Sequence, residues 1–485
     1  MEKWLFEAAN LLRGPVDAAD FKTYIFPLLF FKRLSDVFDE EYRLALDEYG
    51  DEGSAWFREN FRFQIPPECH WKEVRSTTEN VGKALNDALH CIEKANPTTL
   101  AGIFGDAQWT NKNLFPDSLL SDLIEHFSEH DLSNSAVEPD MAGQAYEYLI
   151  KKFADLSNKA AGEFYTPRAV VRLMTRILAP YEGESIYDPA CGTGGMLLEA
   201  YTYVREHGGN ALRMTLKGQE KNLTTSSIAR MNLILHNIDD FTIIRGDTLR
   251  HPAFYSEDSL QTFDCVIANP PFSLKNWGEE VWKSDHFHRN FAGLPPASYG
   301  DYAWVQHMIS SMAYPHGRMA IVLPQGALFR KSAEGKIRSK LLERDLLEGV
   351  IGLAPNLFYG TTLSACICIF RLEKDDRHRG KVVFVDASEI FRKGKNQNEL
   401  LPEHVDQVFR WYDEAIEVPG AAHVATLDEI REQDHNLNIS LYVAPVVEED
   451  PITLKGALDD LLEAEVACEA AEDRLRELLR VEGLM

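Results

Sequence analysis

The sequence predicts an α/β protein, with an N-terminal helical domain over residues 1–157, an open α/β domain over 158–445 and a long C-terminal helix over 452–483. Three observations predict it. The first third is dense in aromatic residues at helix-compatible spacings and poor in β-branched runs. The middle carries successive short strand segments whose ends bear an acid or an amide, and the one before Asn269 is an apolar run of the kind that forms a buried parallel strand. The tail repeats apolar residues at alternating steps of three and four.

Composition bounds the function. A chain of 485 residues with 45% apolar and 26% charged residues buries substantial cores and makes two or three domains. It contains no run of about 18 uncharged apolar residues. Met1-Glu2-Lys3-Trp4 opens an amphipathic segment, so a cytoplasmic protein without a membrane partner is expected. The seven cysteines are odd in number, scattered and without CxxC spacing, which argues against a disulfide framework and against a zinc site. Cys366 and Cys368 alternate, as two residues on one face of a strand do. The net charge of −26 is the opposite of what a protein gripping DNA by its own surface carries, because phosphate contacts supply most of that affinity. Either the substrate is not nucleic acid, or a partner supplies much of the grip.

In the helical domain, the stretch from Asp20 to Tyr49 carries Phe21, Ile25, Leu28, Leu29 and Phe38 at helical spacing, with Pro27 a possible kink. Further helices are expected from Asn80 to Ala95, Leu119 to His130 and Met141 to Ala154. The Phe and Trp residues of this region are read as core.

The α/β domain opens with Gly162-Glu163-Phe164-Tyr165-Thr166-Pro167-Arg168, ahead of a helix from Ala169 to Leu178. Thr166 suits an N-cap and Pro167 the first turn. The free N–H groups of that helix start can hold a carboxylate, and Arg168 can add to the attraction. A strand then ends at Asp188, followed by the turn Gly192-Thr193-Gly194-Gly195 and a helix. Glycines there permit positive φ and close backbone approach to a ligand. The turn lacks the Lys-Ser/Thr of a triphosphate-binding loop and is not GxGxxG. An acid at the strand end suits a cationic amine, which S-adenosylmethionine carries. The next two strands end at Glu220, placed where an acid binds ribose hydroxyls, and at Asp247, which can accept from an adenine amine.

The fourth strand end carries Asn269-Pro270-Pro271-Phe272, just after the apolar run Phe263 to Ala268. The Asn269 side-chain carbonyl and the Pro270 main-chain carbonyl can both accept from one NH2 group. The prolines fix φ, and Phe272 offers a flat face for stacking. By itself the motif reads equally as a Pro-Pro turn with an aromatic at the core edge. Four successive strand ends with ligand-suited groups favour a nucleoside-cofactor site.

Downstream, residues 273–299 are polar and without period, and are expected to form a mobile loop over the substrate. Helices follow from Asp301 to Tyr314 and from Ser332 to Arg344, with strands at Met319 to Leu323, Leu347 to Leu353, Leu363 to Arg371 and Lys381 to Asp386. The basic stretch from Arg330 to Arg344 is either a phosphate contact or a solvated helix face. No chemistry is assigned between Asn396 and Ser440. In the tail, Leu454, Ala457, Leu461, Ala464, Cys468, Ala471, Leu475 and Leu478 form an apolar seam that needs a partner, either the body of the protein or another subunit.

The constellation from Glu163 to Arg168, Asp188 to Gly195, Glu220, Asp247 and Asn269 to Phe272 resembles the amino-methyltransferases. The order of parts, extending across Asp301-Tyr302-Ala303-Trp304 and Leu323-Pro324-Gln325-Gly326, resembles the modification (M) subunit of type I restriction-modification systems. That resemblance implies a Rossmann-like S-adenosylmethionine-dependent domain with a mixed seven-stranded sheet. It implies N6 methylation of a flipped adenine in double-stranded DNA, with Asn269, Pro270, Pro271 and Phe272 as the catalytic tetrapeptide. Glu163, Phe164, Tyr165, Thr166, Pro167, Arg168, Asp188, Gly192, Thr193, Gly194, Gly195, Glu220 and Asp247 would bind the cofactor. The implied partners are a specificity subunit that reads the target, a second M subunit and a restriction subunit. Cytosine N4, a glutamine side-chain amide, and an inactive cofactor-binding scaffold remain the alternatives.

Overall fold

The computed structural model describes residues 2–137, 139–156, 166–358, 363–394, 397–444 and 454–481. Two compact units result, Met1–Val443 and Ala444–Met485.

The first unit begins with helices around an aromatic core. Its longest, Phe21–Tyr49, runs through Pro27 and stops where Gly50 turns left-handed at φ 72° and returns its N–H to Leu46 O. Tyr24, Phe26, Phe30 and Phe31 of this helix bury themselves against Trp71, Phe104, Phe115, Tyr146 and Phe153. The same core takes in Ile228, Met231, Ile234 and Leu235 from the helix Leu223–Leu235 of the α/β region. Helical region and sheet region therefore share apolar surface. Cys69 and Cys91 form a disulfide, with Cα atoms 6.2 Å apart, which corrects the expectation of no disulfide. The pairing arises because the helix Val81–Ala95 packs on the turn Pro67–Cys69, a contact that spacing in the chain does not reveal.

Eleven strands follow in chain order: β1 (Ser185–Asp188), β2 (Thr215–Glu220), β3 (Phe241–Arg245), β4 (Tyr255–Ser256), β5 (Ser259–Leu260), β6 (Cys265–Ala268), β7 (Arg318–Pro324), β8 (Leu347–Leu353), β9 (Ala365–Arg371), β10 (Lys381–Ala387) and β11 (Ala422–Thr426). β4 and β5 make a small hairpin, and the other nine form one sheet in the order β11-β10-β8-β9-β7-β6-β1-β2-β3. The sheet is mixed, as expected, with β9 antiparallel to both β7 and β8, and β11 antiparallel to β10. It has nine strands and not seven. The strand at Ala422–Thr426 is built of small residues interrupted by His423 and is defined by its ladder with β10.

Alternation along the strands builds a core on each face. In β6, Cys265 and Ile267 face one layer, while Val266 and Ala268 face the other. Cys366 and Cys368 of β9 share a face, as their spacing predicts. β1, β2 and β3 step outward in one direction, and β6 then returns to the far side of β1, all parallel. The crevice at that reversal, over the carboxyl ends of β1 and β6, is where open α/β sheets bind ligands.

Residues 273–299, expected as a mobile loop, are densely packed. Trp277, Trp282 and Arg289 are at most 1% exposed. Arg289 pairs with Asp285 at 2.6 Å and donates to Thr248 O and Leu249 O, while Trp282 Nε1 donates to Leu249 O. The composition looked loop-like because the partners of its polar groups include main-chain carbonyls about 40 positions away, which no local pattern shows.

In the second unit, the helix Leu454–Val481 carries exposed Leu458, Leu461, Leu462, Val466, Leu475 and Leu478. Among the described residues, no helix is long and apolar enough to cross a membrane.

Candidate active site

A cavity of about 270 Å³ opens at the reversal between β1 and β6. Its wall brings together Thr166, Arg168, Asp188, Gly192, Thr193, Gly195, Glu220, Asp247, Asn269 and Pro271. Glu163, Phe164 and Tyr165 lie outside the described residues.

The glycine turn is shaped by its own neighbours. Gly192 and Gly194 have φ of 53° and 79°, and the helix Gly195–Glu206 starts immediately after. A Cβ on Gly194 would meet the Ala229 Cβ and carbonyl oxygen at 3.4 Å, whereas one on Gly195 would meet nothing within 4 Å. The helix start thus faces open space, with its N–H groups presented to it. Glu220 accepts the Gly192 N–H at 3.0 Å and the Asn222 N–H at 2.8 Å, so the acid that ends β2 also fastens the turn after β1.

Asp188 is 1% exposed and accepts only from the Ala190 N–H, at 3.0 Å, among the described residues. Burial pushes its carboxyl up to about 8, the Ala190 hydrogen bond opposes that shift, and the nearby Glu220 adds to it. Such a group is poised to ionise when a cation arrives. Asp247 receives Lys221 Nζ at 2.9 Å and the Arg250 N–H at 3.3 Å. The Thr248 hydroxyl donates to Pro189 O at 2.6 Å and ties the ends of β3 and β1 together.

Thr166 departs from the expected cap. Pro167 occupies the cap position of the helix Arg168–Leu178, and the Thr166 hydroxyl instead accepts from Asn269 Nδ2 at 2.8 Å. Arg168 lies between two carboxylates, 3.2 Å from Glu147 and 3.7 Å from Glu199. The other atom of the Asn269 amide, Oδ1, is buried without a partner among the described residues. An orphaned acceptor of this kind costs about 1–3 kcal/mol until a donor reaches it. Phe272, partly buried, meets Phe358 edge-on at 5.9 Å.

Sequence reasoning missed several wall residues. Phe26, Glu147, Ile150 and Phe153 come from the helical region, where the aromatics were read as core alone. Asn232 donates to Thr193 O at 3.0 Å and keeps a buried Oδ1 that has no partner among the described residues. An amide inside the apolar run of the helix Leu223–Leu235 was its available signal. Trp304 also lines the cavity, and its Nε1 has no partner among the described residues. The basic stretch resolves in two ways. Arg330 and Arg338 turn inward onto Glu334 and main-chain carbonyls, while Lys331, Lys336, Lys340 and Arg344 are exposed.

Comparison with known proteins places this site in company. The N-6 DNA Methylase family matches residues 137–451, and the HsdM N-terminal domain matches residues 1–127. The chain is 33% identical to the type I restriction enzyme MjaVII methylase subunit of Methanocaldococcus jannaschii, over 94% of this chain and 80% of that protein. It is 31% identical to the HindI methylase subunit of Haemophilus influenzae, over 76% of this chain and 84% of that one. Among solved structures, the type I methyltransferase subunit from Streptococcus thermophilus superposes with a TM-score of 0.81 at 32% identity, covering 92% of this chain and 99% of that one.

Proposed function

The chain belongs to the N-6 DNA Methylase family as a type I restriction-modification methylase subunit, an adenine-specific DNA methyltransferase, and on that premise we propose how its residues act. Membership selects adenine N6 over cytosine N4 and over a glutamine amide. We infer that the flipped adenine presents its amine to Asn269 Oδ1 and to the Pro270 carbonyl, with Phe272 stacked on the ring. The observation that carries this reading is the Asn269 amide, whose Nδ2 is fixed by Thr166 while its Oδ1 is buried and unanswered among the described residues. Two acceptors on one amine direct the nitrogen lone pair away from them. Catalysis then comes from orientation and polarisation.

The donor set fits S-adenosylmethionine, which when bound supplies an electrophilic methyl group on a sulfonium. Asp188 would meet its ammonium, and the N–H groups of the Gly192–Gly195 turn and Arg168 would meet its carboxylate. Glu220 would hold the ribose hydroxyls and Asp247 the adenine amine. Glu163, Phe164, Tyr165, Thr166, Pro167, Thr193 and Gly194 complete the proposed contacts.

In this reading the acidic chain works inside a cytoplasmic assembly on double-stranded DNA, with a specificity subunit reading the sequence, a second copy of this chain, and a restriction subunit. The exposed leucines of the helix Leu454–Val481 support a role in that assembly. The test is to incubate the assembled complex with labelled S-adenosylmethionine and DNA and digest to nucleosides. Labelled N6-methyl-2′-deoxyadenosine is expected with the native chain, and about 100- to 1000-fold less with Asn269→Ala. Full methylation by that variant would remove the assignment.

A further inference from the structure

The helix Asp301–Ser310 begins beside the tetrapeptide and grips the chain that leaves it. Asp301, 1% exposed, accepts the Ser273 N–H on Oδ1 at 2.8 Å, and the Gly300 N–H donates to Leu274 O at 3.0 Å. Ser273 directly follows Phe272 and has φ of 51°. A residue with a Cβ keeps that left-handed conformation only where its surroundings hold it there. The other oxygen of Asp301 pairs with Arg330, which also meets Glu334 at 2.5 and 3.0 Å and lies 4.2 Å over the Tyr299 ring. One guanidinium thus answers two carboxylates whose side chains are each 2% exposed. Arg330 stands between the short helical turn Gln325–Leu328 that follows β7 and the helix Ala333–Glu343, so the Asp301 carboxylate is held from a second segment of the chain.

We propose that Asp301 and Arg330 are positioning residues for methyl transfer, fixing the turn at Ser273 and through it the placement of Phe272 and of the Asn269-Pro270 acceptors. The inference rests on the reading of that tetrapeptide as the base clamp. Neither residue is among the described residues of the cavity wall, so both act through the main chain they hold.

The test uses the full chain in its assembled complex, with a duplex containing the target site, and measures kcat, KM for DNA, and the dissociation constant of S-adenosylhomocysteine. Asp301→Ala is expected to lower kcat by about 100-fold, the scale of a small misplacement of reacting groups, and to leave S-adenosylhomocysteine binding within about threefold. Asp301→Asn still offers an acceptor to the Ser273 N–H and should recover at least about tenfold of that loss, a rescue that general destabilisation would not give. Arg330→Lys keeps the charge but not the fork, and should lower kcat by about tenfold; it decides the matter should Asp301→Ala not fold. A kcat for Asp301→Ala or Arg330→Lys equal to the native value overturns the proposal. So does a kcat loss matched by loss of S-adenosylhomocysteine binding. Asn269→Ala is measured alongside: if it stays active the clamp reading itself falls, whereas an inactive Asn269→Ala beside a fully active Asp301→Ala removes only the positioning role.

Discussion

The Asn269 side chain donates to the Thr166 hydroxyl at 2.8 Å, joining two motifs that stand 103 positions apart. That bond decides which end of the amide is anchored. Removing the acceptor with Thr166→Val frees the amide to rotate, and one neutral hydrogen bond of about 1 kcal/mol corresponds to a fall in kcat of roughly fivefold to tenfold. Asn269→Ala removes the acceptor itself and should cost about 100- to 1000-fold, the scale of losing one transition-state donor or acceptor. Single-turnover transfer of labelled methyl to DNA distinguishes the two, and equal losses would contradict the ordering.

Gly194→Asp should abolish cofactor binding. The position has φ of 79°, and a Cβ there meets Ala229 at 3.4 Å. A left-handed residue with a Cβ costs roughly 1–2 kcal/mol before its added negative charge is counted. Isothermal titration with S-adenosylmethionine, on a variant verified as folded by circular dichroism, reads the loss directly.

Asp188 gives a pH signature. Its folded carboxyl lies at about 8, above its value in the unfolded chain, so between those two values the native state binds more protons. Stability from this group therefore falls as pH rises through that window, and is restored where a cation lets the carboxyl ionise. Cofactor binding near pH 7 should release a proton from the native protein and none from Asp188→Asn. Titrations in buffers of different ionisation enthalpy check this, and an unchanged proton release in the variant would rule the assignment out.

Arg289→Met leaves the Asp285 carboxylate, 2% exposed, without its partner in the packed segment 273–299. Breaking a buried pair on one side costs about 3–5 kcal/mol. Chemical denaturation should show that loss, and a variant within 1 kcal/mol of native by that measurement (about the effect of an ordinary substitution) would show the segment to be looser than its contacts indicate.

Removing residues 444–485 should leave the unfolding temperature of the remainder within a degree or two, since Met1–Val443 is a compact unit by itself. Co-purification with partner subunits should be lost. Undiminished assembly would exclude the exposed leucines as the contact.

The residues that announce chemistry were legible because chemistry restricts residue type locally. Asp188, Glu220, Asp247 and Asn269 each stand at or just beyond the end of a short strand, and parallel pairing sets all four strand ends side by side. The glycine turn and the two prolines likewise declare their backbone needs in sequence. Other features depend on which elements meet, and no local pattern encodes that. The strand at Ala422–Thr426 exists through its ladder with β10, the Cys69–Cys91 bond through helix packing, and the cavity wall at Phe26 and Phe153 through the helical region closing on the sheet. The order within residues 273–299 depends on Arg289 reaching carbonyls about 40 positions away. By itself the sequence determined the family and the reaction, through the resemblance its motifs carry, and it named Asn269 to Phe272 as the proposed clamp. Only the tertiary structure decided what surrounds Asn269 to Ser273, because Thr166 on Asn269, Asp301 on Ser273 and Arg330 on Asp301 come from separate elements that folding alone brings together.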